Sequence, residues 1–196
     1  MPWRNGRGVT LEIARDRSSK AEFEWRLSLA MLAENGPFSA YPGYRRSVTL
    51  IAGEGFRLDA GGRDPAVLDT IGATHQFPGD APPVCSLLGG DCRDLSLIVR
   101  EPGEISSVST LETSTRRSLP TRASAMNAIF CLAGAAELVG QAAGTGGEPE
   151  GAAIAEHVAL HDTLLLCPCS LNWTAVASTS APAVLLLLAW TPTSDA

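Results

Sequence analysis

Seven polar residues in the first half of the chain have the types and settings that could bind a small ligand. Each is flanked by apolar residues in a segment typical of a β-strand; they are Asn5, Thr10, Glu12, Arg26, Arg46, Asp94 and Ser96. If these strands form a barrel, their polar side faces either the lumen or the solvent. A lumen lined with such groups must pair them with one another or with a ligand, because unpaired buried charge is costly.

The two arginines define the chemistry that such a lumen could perform. Arg26 and Arg46 could bind a carboxylate bidentately, with each charged hydrogen bond worth about 1.5–3 kcal/mol. Glu12 and Asp94 could orient the guanidinium groups or accept a hydrogen bond from an amide or amine of the ligand. The alternative is a salt-bridge network that satisfies itself and binds nothing, and the residues alone leave both interpretations open.

The sequence does not indicate metal or nucleophilic chemistry. The three histidines, His75, His157 and His161, include no His-x-His pair. On a strand His157 and His161 would lie about 13 Å apart, too far for one ion. The five cysteines lie mostly in apolar segments, and we interpret them as buried thiols in a reducing compartment. We therefore predict no catalytic residue, no metal and no cofactor.

The polar residues lie on segments whose alternation indicates half-buried strands. In residues 9–14 the odd-numbered positions are apolar and share one face, so the even-numbered ones, including Ala14, should share the other. In residues 23–29 the odd-numbered positions are again apolar, and Arg26 and Ser28 face the opposite way. No segment has the pattern of a long amphipathic helix. The sequence therefore predicts an all-β protein.

An internal repeat predicts two similar modules. Ser47–Leu58 and Ala128–Leu138, about eighty residues apart, each contain an apolar strand, an Ala-Gly turn and a second strand. Each is followed by an Asp-containing turn, another strand and a long apolar strand. This layout resembles a bicupin, in which two jelly-roll barrels share a core. We place the N-terminal cupin module at residues 1–105 and the C-terminal one at residues 106–196.

Charge is distributed unevenly between the halves. The net charge is −6; residues 1–100 hold twelve Arg/Lys and twelve Asp/Glu, and residues 101–196 hold three and nine. An anionic ligand should therefore dock in the first half. We expect no nucleic-acid partner, because no basic cluster with interleaved aromatics is present. We expect no membrane association and a cytoplasmic location, because we find neither an apolar run of spanning length nor a signal-peptide pattern.

Six segments of the first half follow one another in an order that resembles the HutD family, also called the Ves family. They are Met1–Ile13, Phe23–Leu29, Gly36–Gly43, Arg45–Leu50, Phe77–Asp80 and Arg93–Leu97. The family consists of small bacterial bicupins linked to histidine utilisation. This sequence has Arg7 where glycine is usual, and Leu95 and Ser96 where phenylalanine and asparagine are usual. The second half resembles the family in layout more than in motif.

The resemblance implies a bicupin that binds a small anionic metabolite, such as urocanate or formylglutamate, and modulates histidine breakdown. The N-terminal module would hold the pocket and the C-terminal module would be mainly structural. Two alternatives stay open. One is a metal-free isomerase or hydrolase with Glu12 or Asp94 as general base. The other is a protein-interaction module, whose polar cluster would be exposed. A homodimer through apolar edge strands is also expected.

Overall fold

In a computed structural model, which describes residues 9–16, 22–61, 64–142, 153–166 and 171–192, the chain is all-β, as predicted. The described residues form no helix, and hence none that could cross a membrane. The strands are β1 (Thr10–Arg15), β2 (Trp25–Leu32), β3 (Gly36–Pro37), β4 (Tyr44–Ala52), β5 (Phe56–Asp59), β6 (Ala66–Leu68), β7 (Thr74–Pro78), β8 (Val84–Leu87), β9 (Cys92–Arg100), β10 (Glu104–Thr113), β11 (Arg117–Ser118), β12 (Met126–Ala133), β13 (Ala135–Ala142), β14 (Ile154–Ala159), β15 (Thr163–Leu166), β16 (Leu171–Ala177) and β17 (Ala183–Thr191).

The chain divides into two compact units. The described residues of the first unit are those up to Ile105 together with Pro192, and the second unit comprises Ser106–Thr191. The first unit has a five-stranded sheet, β1-β2-β9-β4-β7, and a four-stranded sheet, β3-β8-β5-β6, in which every neighbouring pair is antiparallel. The second unit has sheets of order β10-β17-β12-β15 and β11-β16-β13-β14. Strand for strand the two orders are equivalent, and β1 is the one described strand without a counterpart.

The sequence repeat marks the point where each unit passes from one sheet to the other. Gly53 lies between β4 and β5 with φ of 101°, and Gly134 lies between β12 and β13 with φ of 71°. A Cβ on Gly53 would lie 2.6 Å from the Asp91 carbonyl oxygen, and one on Gly134 would lie 2.8 Å from that of Pro182. Both turns therefore require glycine.

The hydrophobic core of the first unit occupies one end of the face that also carries the polar residues. Val48 and Leu50 of β4 pack there with Phe56 and Leu58 of β5, and all four are buried. Cys85 belongs to this core, and burial raises the pKa of its thiol to about 12, so it stays protonated. Cys92 and Cys131 are buried free thiols as well. Cys167 and Cys169 lie outside the described residues.

A β-bulge in β1 changes the facing that strict alternation predicts. The pairing with β2 shifts between Glu12 and Ala14, so Ala14 pairs with Leu27 and Arg15 pairs with Arg26. Ala14 therefore lies on the face opposite to the predicted one, and Arg15 joins the face of Glu12. A bulge inserts one extra residue into a strand, which reverses the facing of everything beyond it.

Candidate functional site

A cavity of about 570 Å³ lies over the polar face of the five-stranded sheet. Side chains of β1, β2, β4 and β9 line it, together with the segment Phe38–Pro42. Six of the seven residues singled out in the sequence line this one cavity: Thr10, Glu12, Arg26, Arg46, Asp94 and Ser96. The seventh, Asn5, lies outside the described residues.

Strand pairing places three arginines in one line across the sheet. Arg15 pairs with Arg26, Arg26 pairs with Ile98, and Ile98 pairs with Arg46 on its other side. We call Arg15, Arg26 and Arg46 the arginine row. All three line the cavity, so their guanidinium groups make one end of it cationic.

Two further lines of side chains cross the sheet beside the arginine row. The next line contains Ser28 and Ser96, which pair with each other. The line after that contains Asp94, which pairs with Ala30 on one side and Leu50 on the other. Because Asp94 and Ile98 are four residues apart on β9, the backbone of the aspartate lies about 13 Å along the strand from the backbone of the arginine row. The cavity therefore has a cationic end and an acidic end.

Arg46 is buried in an aromatic setting at the cationic end. It is 5% exposed, and its Nη1 donates a 2.7 Å hydrogen bond to the Ser39 carbonyl oxygen. Its guanidinium carbon lies 5.1 Å from the ring centres of Phe38 and Phe77 and 5.3 Å from that of Tyr41. Its Nε donates to no described residue. Burial lowers the pKa of Arg46 to about 10, opposed by the charge of Asp94, so it stays cationic at neutral pH.

Arg26 is held by aromatic rings in a similar way. Its Nη2 donates a 2.9 Å hydrogen bond to the hydroxyl oxygen of Tyr41. Its guanidinium carbon lies 4.9 Å from the ring centre of Phe23 and 5.3 Å from that of Tyr41. Its buried Nε has no hydrogen-bond acceptor in the described part of the chain. The Tyr41 ring thus contacts both arginines and fixes them beside the cavity.

Asp94 is fully buried at the other end, next to the hydrophobic core. Its exposed fraction is 0%, and neither carboxyl oxygen accepts a hydrogen bond from any described residue. Its two cross-strand neighbours, Ala30 and Leu50, carry no side-chain donor. Burial raises the pKa of Asp94 to about 7, opposed by the charge of Arg46. The hydroxyl of Ser96, 4% exposed, is likewise without a partner among the residues that the structure describes.

The outer part of the cavity is more solvated. Glu12 approaches Arg15, with 3.5 Å between Oε1 and Nε, and the two side chains are 30% and 51% exposed. Such an exposed pair contributes about 0–1 kcal/mol to stability. Thr10 and Glu22 also line the cavity.

The donor set does not offer a metal site within the described ranges. No three His, Cys, Asp or Glu side chains there lie close enough together to hold an ion. The groups that gather at the cavity are guanidinium, hydroxyl and carboxyl groups, which suit an organic ligand with hydrogen-bonding ends. The expectation that the protein needs no cofactor stays a prediction.

Comparison with known proteins assigns the chain to a family. A sequence model described as HutD matches residues 1–183. The chain belongs to the HutD family. It is 43% identical over 99 residues to a Pseudomonas putida relative named as an uncharacterised 21.2 kDa protein in the hutC 3′ region. That match covers 50% of this chain and 52% of the relative, so the chain spans about half the length of the curated relative it matches.

Solved structures extend the HutD assignment over nearly the whole chain. A conserved protein of unknown function from Pseudomonas aeruginosa PAO1 is 30% identical, with a TM-score of 0.80 and coverage of 97% of this chain and 93% of that one. HutD from Pseudomonas fluorescens SBW25, in a formate condition, is 27% identical, with a TM-score of 0.73 and coverage of 98% and 93%. A cupin 2 conserved barrel protein from Leptotrichia buccalis is 12% identical, with a TM-score of 0.58 and coverage of 93% and 88%. The last likeness concerns the fold alone and, with the two equivalent units, confirms the bicupin class.

Some residues of this HutD-family cavity escaped the sequence analysis. Arg15 was missed because only the bulge brings it to the polar face. Tyr41 was not assigned to the site, although its position between two arginine-bearing strands was a usable signal. Ser28 was assigned to the correct face but not to the site.

Proposed function

We propose that this HutD-family chain binds a small carboxylate-bearing metabolite of histidine breakdown and thereby modulates that pathway. The observation that carries the proposal is a pair of arginines at one cavity, Arg46 buried and Arg26 half-buried, each with a buried Nε–H that no described residue accepts. The names of the Pseudomonas relatives supply the link to histidine utilisation. Urocanate and formylglutamate are the ligands we would test first, because each carries a carboxylate.

A carboxylate is the ligand group that best matches this end of the cavity. Among the described residues, Arg46 donates one hydrogen bond, from Nη1 to the Ser39 carbonyl oxygen, and Arg26 donates one, from Nη2 to the Tyr41 hydroxyl. A guanidinium has five N–H donors in a planar fork that complements the two oxygens of a carboxylate. The surrounding aromatic rings hold both forks in place, so little side-chain entropy would be lost on binding.

The burial of these groups argues against two alternatives. A protein-interaction surface would expose the cluster, whereas Arg46 is 5% and Asp94 0% exposed. A self-satisfied salt-bridge network would pair Arg46 with Asp94. In the described residues the carboxyl oxygens of Asp94 accept no hydrogen bond and the Arg46 Nε donates none. A ligand that supplies these partners would relieve the cost of burying them.

The test is calorimetry of the full chain with urocanate and with formylglutamate. The Arg46→Lys variant keeps the charge but loses the fork, and the loss of one charged hydrogen bond of 1.5–3 kcal/mol corresponds to an affinity roughly 10- to 150-fold weaker. Arg45→Lys is the matched control, because Arg45 lies next in sequence on β4, is exposed and approaches Glu101 at 3.6 Å. The proposal fails if neither compound binds at millimolar concentration or if both variants bind like the wild type.

A second candidate is a metal-free enzyme acting on the same compounds. The specific observation is a buried carboxyl in the cavity whose pKa is raised to about 7, where a general base works well. Incubation of chelator-treated protein with urocanate or formylglutamate, followed by NMR, separates the two functions. Turnover that Asp94→Asn abolishes would favour the enzyme. Binding with unchanged compound would favour the binding protein.

A further inference from the structure

The two ends of the cavity present different chemical groups to a ligand. The inference drawn from this difference rests on the proposed function. The arginine row provides N–H donors and positive charge. Asp94 provides acceptor oxygens at the other end, and Ser96 lies between the two, offering a hydroxyl that has no partner in the described ranges. A carboxylate alone would accept hydrogen bonds from the arginine row and would leave the Asp94 oxygens without a donor.

Asp94 makes no hydrogen bond to either arginine, although the charge of Arg46 opposes the rise of its pKa. Its cross-strand neighbours are Ala30 and Leu50, whereas Arg26 and Arg46 both flank Ile98, four residues further along β9. Ala30 and Asp94 both line the cavity, and Ala30, which pairs with Asp94, has only a small side chain. The aspartate is therefore available to a guest.

We infer that the site selects a carboxylate whose other end carries an N–H donor, an ammonium or an amide, over a plain dicarboxylate. The N–H end would donate to the buried Asp94 oxygens, which accept nothing from the described residues. A second carboxylate at that position would oppose Asp94 with like charge in a buried setting, or would have to take up a proton. A buried acceptor left without a donor disfavours a ligand that lacks one.

The experiment measures preference rather than affinity alone. Calorimetry at pH 8 compares three series of three to six carbons: ω-amino acids, ω-amides of dicarboxylates, and α,ω-dicarboxylates. For the chain length that binds best, we expect the wild type to prefer an N–H-bearing compound to the matching dicarboxylate by at least about tenfold, the equivalent of one charged hydrogen bond.

The Asp94→Asn variant should reverse this order. Asparagine has nearly the same size but removes the negative charge, so dicarboxylates should gain affinity while ω-amino acids lose it. A merely structural role of Asp94 would weaken all three series together. Thermal unfolding of Asp94→Asn checks that it is folded, and should it not fold, the wild-type ranking still decides.

The outcomes separate this inference from the proposed function. Carboxylate binding that depends on Arg46 but shows equal or stronger affinity for dicarboxylates overturns the inference and leaves the proposed function standing. Uniform weakening by Asp94→Asn also overturns it. Failure of all three series and of both pathway compounds overturns the two together.

Discussion

The two units share one strand order but have chemically different residues at equivalent positions. Counted back from the Ala-Gly turns, Arg46 of β4 corresponds to Asn127 of β12. Counted along the partner strands, Asp94 corresponds to Leu185, because Leu50 pairs with Asp94 as Cys131 pairs with Leu185. Where the first unit has charged groups around a cavity, the second therefore has an amide and a leucine.

At the two positions compared, the second unit needs no ligand. Leu185 belongs to a hydrophobic core with Leu138 and Trp173, and its exposed fraction is 0%. The Asn127 amide donates to the carbonyl oxygens of Arg122 and Ala125 at 2.9 Å, and its oxygen accepts from the Arg122 N–H at 3.0 Å. The cavity beside it measures only about 10 Å³.

The contrast indicates that this fold has no need of the polar residues. One unit reaches the same topology with a closed apolar core, so the charges of the other reduce stability without contributing to the fold. Natural proteins keep such destabilising groups mainly where function requires them. The difference between the units is therefore an argument for the cavity that does not depend on the family assignment.

The largest expected effect is that of placing a carboxyl group in the second unit, at the position equivalent to Asp94. Leu185→Asp would bury a carboxyl among apolar side chains, and we expect it to destabilise the protein by about 3–5 kcal/mol at pH 8. Denaturant unfolding monitored by tryptophan fluorescence measures the loss. Leu185→Asn at the same site controls for the change of shape and should be less destabilising. A tolerated aspartate would mean that the two units do not differ as described.

A smaller effect of opposite sign is expected from Asp94→Leu. Removing a buried charge should stabilise the protein at pH 8 by about 1–4 kcal/mol, the range seen when buried ionic groups are replaced by apolar ones. The folded pKa of about 7 lies above the ordinary 3.8, so the native state holds the extra proton between these values. Wild-type stability should therefore rise as pH falls from 8 towards 4, relative to the variant.

Paired denaturant titrations of wild type and Asp94→Leu at pH 8, 6.5 and 5 test this sign. Groups common to both proteins cancel in the difference. The advantage of the variant should shrink steadily as Asp94 becomes protonated. A difference that stays constant would show that Asp94 has an ordinary pKa in the folded protein, and a difference that grows at low pH would show that its pKa is lowered; either result contradicts the raised pKa.

Alternation carried much of the site prediction. The period of two in residues 23–29 correctly put Arg26 opposite the apolar face of β2, and Asp94 and Ser96 share a face of β9 for the same reason. Alternation gave the wrong face for Arg15, because the bulge in β1 inserts one residue and a periodic pattern does not reveal such an insertion. Residues 101–124 show no clear apolar period in the sequence, yet they contain two edge strands, β10 and β11.

The alternation of apolar and polar residues could not show whether each polar group is paired in the folded protein. The sequence left open whether Arg46 and Asp94 face a lumen or the solvent, and whether they pair depends on how far apart the register places them. That they lie in lines separated by Ser96 follows only from the observed pairing of β4 and β9. The aromatic contacts of Tyr41 depend in turn on the path of a loop, which side-chain periodicity does not describe.

The smallest expected effect is that of a substitution at Tyr41, which tests whether this residue positions Arg26 for binding a ligand. Tyr41→Phe retains the ring that contacts both arginines but removes the hydroxyl that accepts from Arg26 Nη2 at 2.9 Å. Because this hydrogen bond only orients Arg26 and does not touch the ligand, its loss should weaken carboxylate binding less than the loss of a direct charged contact, by about 2- to 12-fold or 0.5–1.5 kcal/mol. Calorimetry measures the affinity, and Tyr44→Phe is the matched control, because the Tyr44 hydroxyl donates to the Phe23 carbonyl oxygen instead. Since the freed Arg26 N–H can turn to the ligand, an affinity equal to or above that of wild type would show that Tyr41 competes with the carboxylate rather than orienting its partner.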